Sequence, residues 1–213
     1  MRISEIFLSI QGEGIEIGVP TVFVRLYGCD LRCKWCDTMY AVEGGDHENL
    51  GVAEVLEGVE SFGCKNVCIT GGEPLLQKNE VVDLAENLHV KGYKIVLETS
   101  GHLAPPGIFH EARCIISLDC KCPGSGMEKR MDFSIIATLE TKDQLKFVLT
   151  GDEDYKYAKG VMKNYPTRAQ VIFQPTGDLD IRWLAEVVLE DRLDGVRVLP
   201  QLHKLIWGEK RGV

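Results

Sequence analysis

Cys29, Cys33 and Cys36 fall within eight positions of the segment GCDLRCKWCDT (28–38). This C-x3-C-x2-C run brings three thiolates onto one tight loop and supplies no fourth. A closed structural metal site wants four ligands, whereas a catalytic one keeps a position open. Three thiolates can hold three irons of a cubane 4Fe-4S cluster and leave the fourth iron free for chemistry. Structural zinc is the competing reading, because Cys64-x3-Cys68 or Cys120-x-Cys122 could complete a four-ligand set. Further along, CITGGEP (68–74) ends in two glycines and an acid. Glycines let a backbone approach a ligand closely, and Glu73 can pair with a cation. Taken alone, the same stretch is a strand-to-helix turn with Pro74 at the first helical position. ETSG (98–101) offers a carboxylate and hydroxyls suited to a ribose. Arg25 lies inside an apolar run, where a charge is costly unless paired. A substrate carboxylate gripped by a bidentate fork, or an internal acid, would each satisfy it.

Positioning these groups falls to a series of short β-branched runs that end in Gly, Pro or polar residues. They are IFLSI (6–10), TVFVRLYG (21–28), NVCITGG (66–72), KIVLETSG (94–101), CIISLD (114–119), QLKFVLTG (144–151), QVIFQP (170–175) and GVRVLP (195–200). Each reads as a buried strand. Helical periodicity falls between them, at Val52, Val55, Leu56 and Val59, at Val81, Leu84, Ala85 and Leu88, and at Ile181, Leu184, Ala185 and Val188. Gly92 stops the second of these helices. Alternating strands and helices predict an α/β fold with a parallel sheet wound as βα units. The cysteine loop follows the strand 21–28, at the end where such folds collect their chemistry. The connection 102–111 holds Pro105, Pro106 and Gly107 and is too broken for a full helix. With 213 residues, below the roughly 250 of a complete eight-unit barrel, the chain predicts a truncated, partly open (β/α) barrel.

The chain is 45% hydrophobic, enough for one sizeable core, and one domain spanning 1–213 is expected. Its 24 basic and 32 acidic residues leave a formal charge of −8. Such a surface repels phosphate backbones, so no nucleic-acid partner is expected. No stretch approaches the roughly 20 apolar residues of a membrane helix. The N-terminus lacks the basic and apolar regions of a signal peptide, so a cytoplasmic, reducing location is expected. Eight cysteines there point to metal or redox chemistry.

C-x3-C-x2-C after a first barrel strand, joined to GGEP after a later one, resembles the radical S-adenosylmethionine (SAM) superfamily. Two further stretches narrow the resemblance. QGEG (11–14) and LPQLHKLIWGEKRGV (199–213) are similar to the family of 7-carboxy-7-deazaguanine synthases, the QueE family. The likeness covers essentially the whole chain. It implies a radical SAM barrel and ring contraction of 6-carboxy-5,6,7,8-tetrahydropterin to 7-carboxy-7-deazaguanine with loss of ammonia. That step serves 7-deazapurine (queuosine or archaeosine) biosynthesis. SAM would be regenerated and Mg²⁺ would assist. By this resemblance Cys29, Cys33 and Cys36 ligate the cluster and Thr38 meets Mg²⁺. Trp35, Cys36, Asp37, Gly72, Glu73 and Glu98 contact SAM, with Glu73 on its ammonium group. Ser117, Asp119 and Lys121 are further SAM contacts, although the family's Ser-Pro-Lys is here spread over SLDCK. Gln174, Pro175, Thr176 and Gly177 form a late SAM loop, with Gly177 replacing an acidic residue of some members. Ile10, Gln11, Gly12 and Glu13 read the pterin edge. Arg25 takes the substrate carboxylate, and Thr70, His203 and the terminal Val213 complete the substrate pocket. The resemblance also implies a homodimer and an external electron donor of the flavodoxin or ferredoxin type.

Outside that resemblance QGEG is a polar turn, Thr38 a turn hydroxyl, His203 a core histidine and Val213 a frayed end. Two other functions compete. A glycyl-radical-enzyme activase would share the cluster but act on a protein backbone. A zinc-stabilised binding module would have no activity. Cys64, Cys68, Cys114, Cys120 and Cys122 carry no role in the family, and buried free thiols are the default for Cys68 and Cys114.

Overall fold

The computed structural model describes residues 1–176 and 179–213. Nine strands among these residues form one sheet: β1 (Arg2–Ile10), β2 (Pro20–Leu26), β3 (Glu48–Asn49), β4 (Asn66–Gly71), β5 (Lys94–Thr99), β6 (Cys114–Asp119), β7 (Gln144–Leu149), β8 (Gln170–Pro175) and β9 (Val196–Val198). Their spatial order is β3-β1-β2-β4-β5-β6-β7-β8-β9. From β2 through β9 every neighbouring pair is parallel. Among the described residues β9 pairs with β8 alone, so the sheet is not closed. The partly open barrel expected from sequence is what forms.

One expectation needs correction. The first run is antiparallel to β2, with Phe7 opposite Phe23 and Ile10 opposite Pro20. The loop between them is too short for a crossover helix, and a parallel connection needs a dozen residues or more.

Among the described residues six α-helices pack around the strands: α1 (Met39–Val42), α2 (Val52–Ser61), α3 (Lys78–Val90), α4 (Asp152–Asn164), α5 (Ile181–Glu190) and α6 (Leu202–Trp207). The periodicities read from sequence lie in α2, α3 and α5. Between β5 and β6 there is only a 3₁₀ turn, Gly107–His110, as the Pro/Gly content predicts. Three more 3₁₀ turns, Pro123–Ser125, Glu128–Arg130 and Phe133–Thr138, carry the chain from β6 to β7. No helix among the described residues is long and apolar enough to cross a membrane.

The strands bury both faces but differently. Val22, Val24 and Leu26 on β2, Ile95 and Leu97 on β5, and Leu145, Phe147 and Leu149 on β7 pack outward against the helices in the main core. Alternate residues line the concave side. Its floor is the apolar tier Phe23–Cys68–Val96–Ile115, in register across four strands. Two residues further along each strand the tier turns polar: Arg25 beside Thr70, Glu98 beside Ser117, and Ser117 beside Gln144. Above it Asp119 faces Lys146. The side-chain period of two thus converts a dry floor into a polar site within one turn of pleat.

Candidate active site

A cavity of about 250 Å³ opens at the carboxyl ends of the strands. Cys29, Cys33, Cys36, Asp37 and Thr38 wall one side, and Ile10, Gln11, Gly12 and Glu13 wall another. Arg25, Thr70, Gly72, Glu98, Ser117, Asp119 and Lys121 line its base, and His203 and Val213 reach it from the tail.

The cysteine loop is held by contacts from several elements. Gly28 takes a left-handed φ of 106°, and its N–H donates to Ala41 O at 2.7 Å. Leu31 is buried beneath the loop. The Asp30 carboxylate meets His102 Nε2 at 2.8 Å and accepts from Arg130 Nη2 at 2.7 Å. Lys34 N–H donates to Ser125 O at 3.0 Å. All three thiols are free and half-buried. Burial pushes the Cys33 thiol up to about 11, with Lys121 opposing. Metal coordination is what deprotonates such a thiol outright. Among the described residues no three His, Cys, Asp or Glu side chains converge on one point, as a single ion requires. A cubane spreads its ligands around its corners, so the donor set fits a cluster better than a lone zinc. Cys64 donates to Pro20 O at the far end of the sheet, whereas Cys120 lies past β6 at the near end. These pairs complete no second set.

Gly71 and Gly72 line the cavity and also answer a packing need. A Cβ on Gly71 would sit 2.2 Å from Leu26 O, and one on Gly72 would sit 2.2 Å from Gly28 O. Both glycines let the turn abut the backbone leading into the cysteine loop. The Glu73 carboxylate is buried and accepts from Leu75 N, Thr99 Oγ1, Ser100 N and Ser100 Oγ at 3.0, 2.9, 2.8 and 2.5 Å. It stitches the GGEP turn to ETSG, and any cation it meets must share those lone pairs.

Two buried polar atoms beside the cavity lack partners among the described residues: Trp35 Nε1 and Asp119 Oδ1. Lys121 Nζ pairs with Asp119 at 3.0 Å and stands 4.9 Å from the Trp35 ring. Orphaned groups of this kind call for a polar ligand, and SAM fits them. Gln174 is fully buried with its amide likewise unpartnered among the described residues. Thr176 N–H donates to Leu149 O at 2.9 Å. Gln174, Pro175 and Thr176 are not among the residues lining the cavity, and Gly177 lies outside the described residues. Thr38 caps the start of α1 with no side-chain cap bond; its Oγ1 is 3.7 Å from Cys36 Sγ.

On the other wall, Arg25 Nε donates to Glu5 Oε1 at 2.8 Å, and Tyr40 OH donates to the same oxygen at 2.7 Å. Neither Nη atom of Arg25 has a hydrogen-bond partner among the described residues. The internal acid and a substrate carboxylate are therefore compatible readings of this residue. Glu98 accepts from Thr70 Oγ1 at 2.8 Å and from Gln11 Nε2 at 3.3 Å.

Sequence reading missed several groups. Lys146 pairs with Glu13 and lies 3.7 Å from Asp119. Gln144 holds the Ile15 N–H at 2.6 Å, and Gln201 Nε2 donates to Glu13 Oε1 at 2.8 Å. Burial pushes the Glu13 carboxyl up, but Lys146, His203 and Gln201 outweigh it and hold the group ionised. Burial likewise disfavours the Lys146 charge, and Glu13, Asp119 and Glu98 overcome it. The tail docks on the QGEG loop: Leu202 N–H donates to Gly12 O at 2.9 Å. It also reaches the cysteine loop, with Lys204 Nζ 3.4 Å from Asp37.

A family model described as the radical SAM superfamily matches residues 23–112. A 7-carboxy-7-deazaguanine synthase of Methanospirillum hungatei is 39% identical over 206 residues, covering 97% of this chain and 85% of that one. Another, of Hyperthermus butylicus, is 47% identical over 219 residues, covering 97% and 92%. The crystal structure of QueE from Escherichia coli shares the fold, with a TM-score of 0.78 at 22% identity over 95% of this chain and 94% of that one. This chain belongs to the 7-carboxy-7-deazaguanine synthase family of the radical SAM superfamily.

Proposed function

We infer that this protein contracts the pterin ring of 6-carboxy-5,6,7,8-tetrahydropterin to 7-carboxy-7-deazaguanine, releasing ammonia. The observation that carries the assignment is the meeting of two walls across one cavity: the three-cysteine loop and the QGEG loop with Arg25. A glycyl-radical activase must admit a protein backbone, and here the tail residues Gln201, His203 and Lys204 take up part of the cavity wall.

Cys29, Cys33 and Cys36 would hold the cluster, and Trp35, Asp37, Gly72, Glu73, Glu98, Ser117, Asp119 and Lys121 would surround SAM. Gln174, Pro175, Thr176 and Gly177 belong to the same proposal by resemblance. Cluster and SAM together supply a carbon-centred radical able to take hydrogen from an unactivated C–H bond. The protein's own residues position. The free Nη pair of Arg25 donates to the substrate carboxylate as a fork, while Glu5 locks its Nε. Ile10, Gln11, Gly12 and Glu13 present acceptors and donors to the amino-pyrimidinone edge. Thr70 meets the substrate from the base of the cavity, and His203 and Val213 from the tail. Thr38, with its hydroxyl uncommitted to a cap, would meet Mg²⁺, an ion that keeps several waters and takes few protein ligands. An external flavodoxin- or ferredoxin-type donor, a homodimer and a cytoplasmic setting complete the reading, on the strength of the family resemblance.

The test is an anaerobic turnover. Protein reconstituted with iron and sulfide receives dithionite, SAM, Mg²⁺ and 6-carboxytetrahydropterin, and products are read by mass spectrometry. Carboxydeazaguanine accumulating over many turnovers with SAM undiminished is the expected result. Steady cleavage of SAM with the pterin intact would remove the substrate assignment.

A further inference from the structure

Strand β7 enters none of the roles assigned above, yet two of its residues grip the QGEG loop. Gln144 and Lys146 are two apart, so both face the concave side. Gln144 Oε1 accepts from Ile15 N–H and its Nε2 donates to Ser117 Oγ, both at 2.6 Å. The bare Cα of Gly14 makes room for it, since a Cβ there would lie 2.3 Å from Gln144 Nε2. Gln144 thus fixes the loop's backbone. Lys146 fixes its side chain. Its ammonium donates to Glu13 Oε2, while Gln201 donates to Oε1.

Each carboxylate oxygen carries two lone pairs. Lys146 and Gln201 each occupy one, on different oxygens, which leaves one acceptor position on each oxygen. A pair of adjacent acceptors matches a pair of adjacent donors: a ring amide N–H next to an exocyclic amine. We propose that Lys146 is a positioning residue that, with Gln201, sets Glu13 as a two-acceptor reader and so makes the enzyme specific for 2-amino-pyrimidinone substrates. This rests on the pterin reading above. Lys146 has little freedom to do otherwise: its side chain is 8% exposed, and Asp119 on β6 and Glu98 on β5 face it along with Glu13. Without the ammonium, Glu13 is a buried charge with one partner, free to rotate away from the ligand or to take up a proton.

The experiment compares binding of 6-carboxytetrahydropterin with that of its analogue lacking the 2-amino group. Both are titrated calorimetrically into reconstituted protein with SAM and Mg²⁺ and no reductant. Wild type should prefer the amino-bearing ligand by about 30-fold, the worth of hydrogen bonds to a charged group. Lys146→Met should cut that preference to about threefold or less. Because that variant strands a buried carboxylate, Glu13→Gln and Glu13→Gln/Lys146→Met are made beside it. These two should discriminate alike within about twofold, since a residue acting only through Glu13 adds nothing once Glu13 is neutral. Discrimination retained in Lys146→Met, or a further large loss in the double variant, overturns the proposal. Wild type binding both ligands equally also overturns it. Wild type that binds neither ligand removes the pterin reading and this inference together.

Discussion

At the residue scale, Arg25 shows how one charge can serve two readings. Its Nε is spent on Glu5 at 2.8 Å, and its two Nη atoms remain for a ligand. Lysine can supply the charge but not the fork. Arg25→Lys is therefore expected to raise KM for the pterin about 10- to 100-fold with a smaller change in kcat, while the affinity for SAM stays put. Steady-state assays at several pterin concentrations check it, and a fall in kcat alone would place Arg25 in the chemistry instead. The cysteines allow a second residue-level prediction. Burial pushes Cys114 up to about 11 and Cys120 up to about 12. At pH 8 the thiolate fraction of either is about one in a thousand or less. A short iodoacetamide pulse on the native apoprotein should label the half-buried Cys36 and Cys64, and spare Cys68, Cys114, Cys120 and Cys122. Rapid labelling of the buried four, read by peptide mass spectrometry, would show that the core opens. The default reading of Cys68 and Cys114 as buried thiols matches their placement in β4 and β6. Lys146 was illegible for the opposite reason. A lysine in QLKFVL reads as a solvent-facing position, and only the acids it meets on the concave side, Glu13 and Asp119, give it a buried place.

At the element scale, most strands were legible because apolar runs bounded by Gly and Pro have few other homes. Two of them, CIISLD and QVIFQP, match β6 and β8 end to end. Helix α4 escaped because DEDYKYAKGVMKN opens with three acids and carries Gly160, which dilutes its buried stripe of Tyr155, Ala158 and Val161. Helix α6 escaped because its six residues bury little of their own. It is held by what it docks on. The tightest point of that docking is Gly12, where a Cβ would fall 2.2 Å from His203 Nδ1 and 2.8 Å from His203 Cβ. Gly12→Ala should push α6 off the loop. Overpacking of this kind costs about 1–3 kcal/mol, so the melting temperature should drop by a few degrees. KM for the pterin should rise with it, since Gln201 and His203 leave together. An unchanged melt with an unchanged KM would mean that the tail adjusts freely and does not wall the site.

At the scale of the whole molecule, the site is assembled from both ends of the chain. Glu13 and Gln201 are 188 residues apart in sequence and 2.8 Å apart in space. Motif spacing could name QGEG and QLHK one by one, but nothing local says that they touch, or that β7 supplies the cation between them. That assembly has a cost that pH can expose. The folded protein holds Glu13 ionised well below its ordinary 4.5, because Lys146 and its neighbours outweigh burial. A carboxyl with a depressed folded pKa contributes stability that is complete above the unfolded value and is lost as pH falls toward the folded one. Lys146 is raised above its ordinary 10.5, so its contribution is present below that value and is lost as pH rises through the folded pKa. Stability from this pair is thus flat across the neutral range and falls away on the acid side below about pH 4.5. Other carboxylates share the acid limb, Asp30 among them, so the decisive quantity is a difference between variants. Glu13→Gln/Lys146→Met removes both charges of the pair together. Its unfolding free energy should decline less steeply with acid, by up to about 1.4 kcal/mol per pH unit, the value of one proton. Urea unfolding of the apoproteins from pH 3 to 7 measures it. Parallel acid limbs for wild type and the double variant would mean that Glu13 titrates alike folded and unfolded, and that the pair across the two ends of the chain is not held in solution.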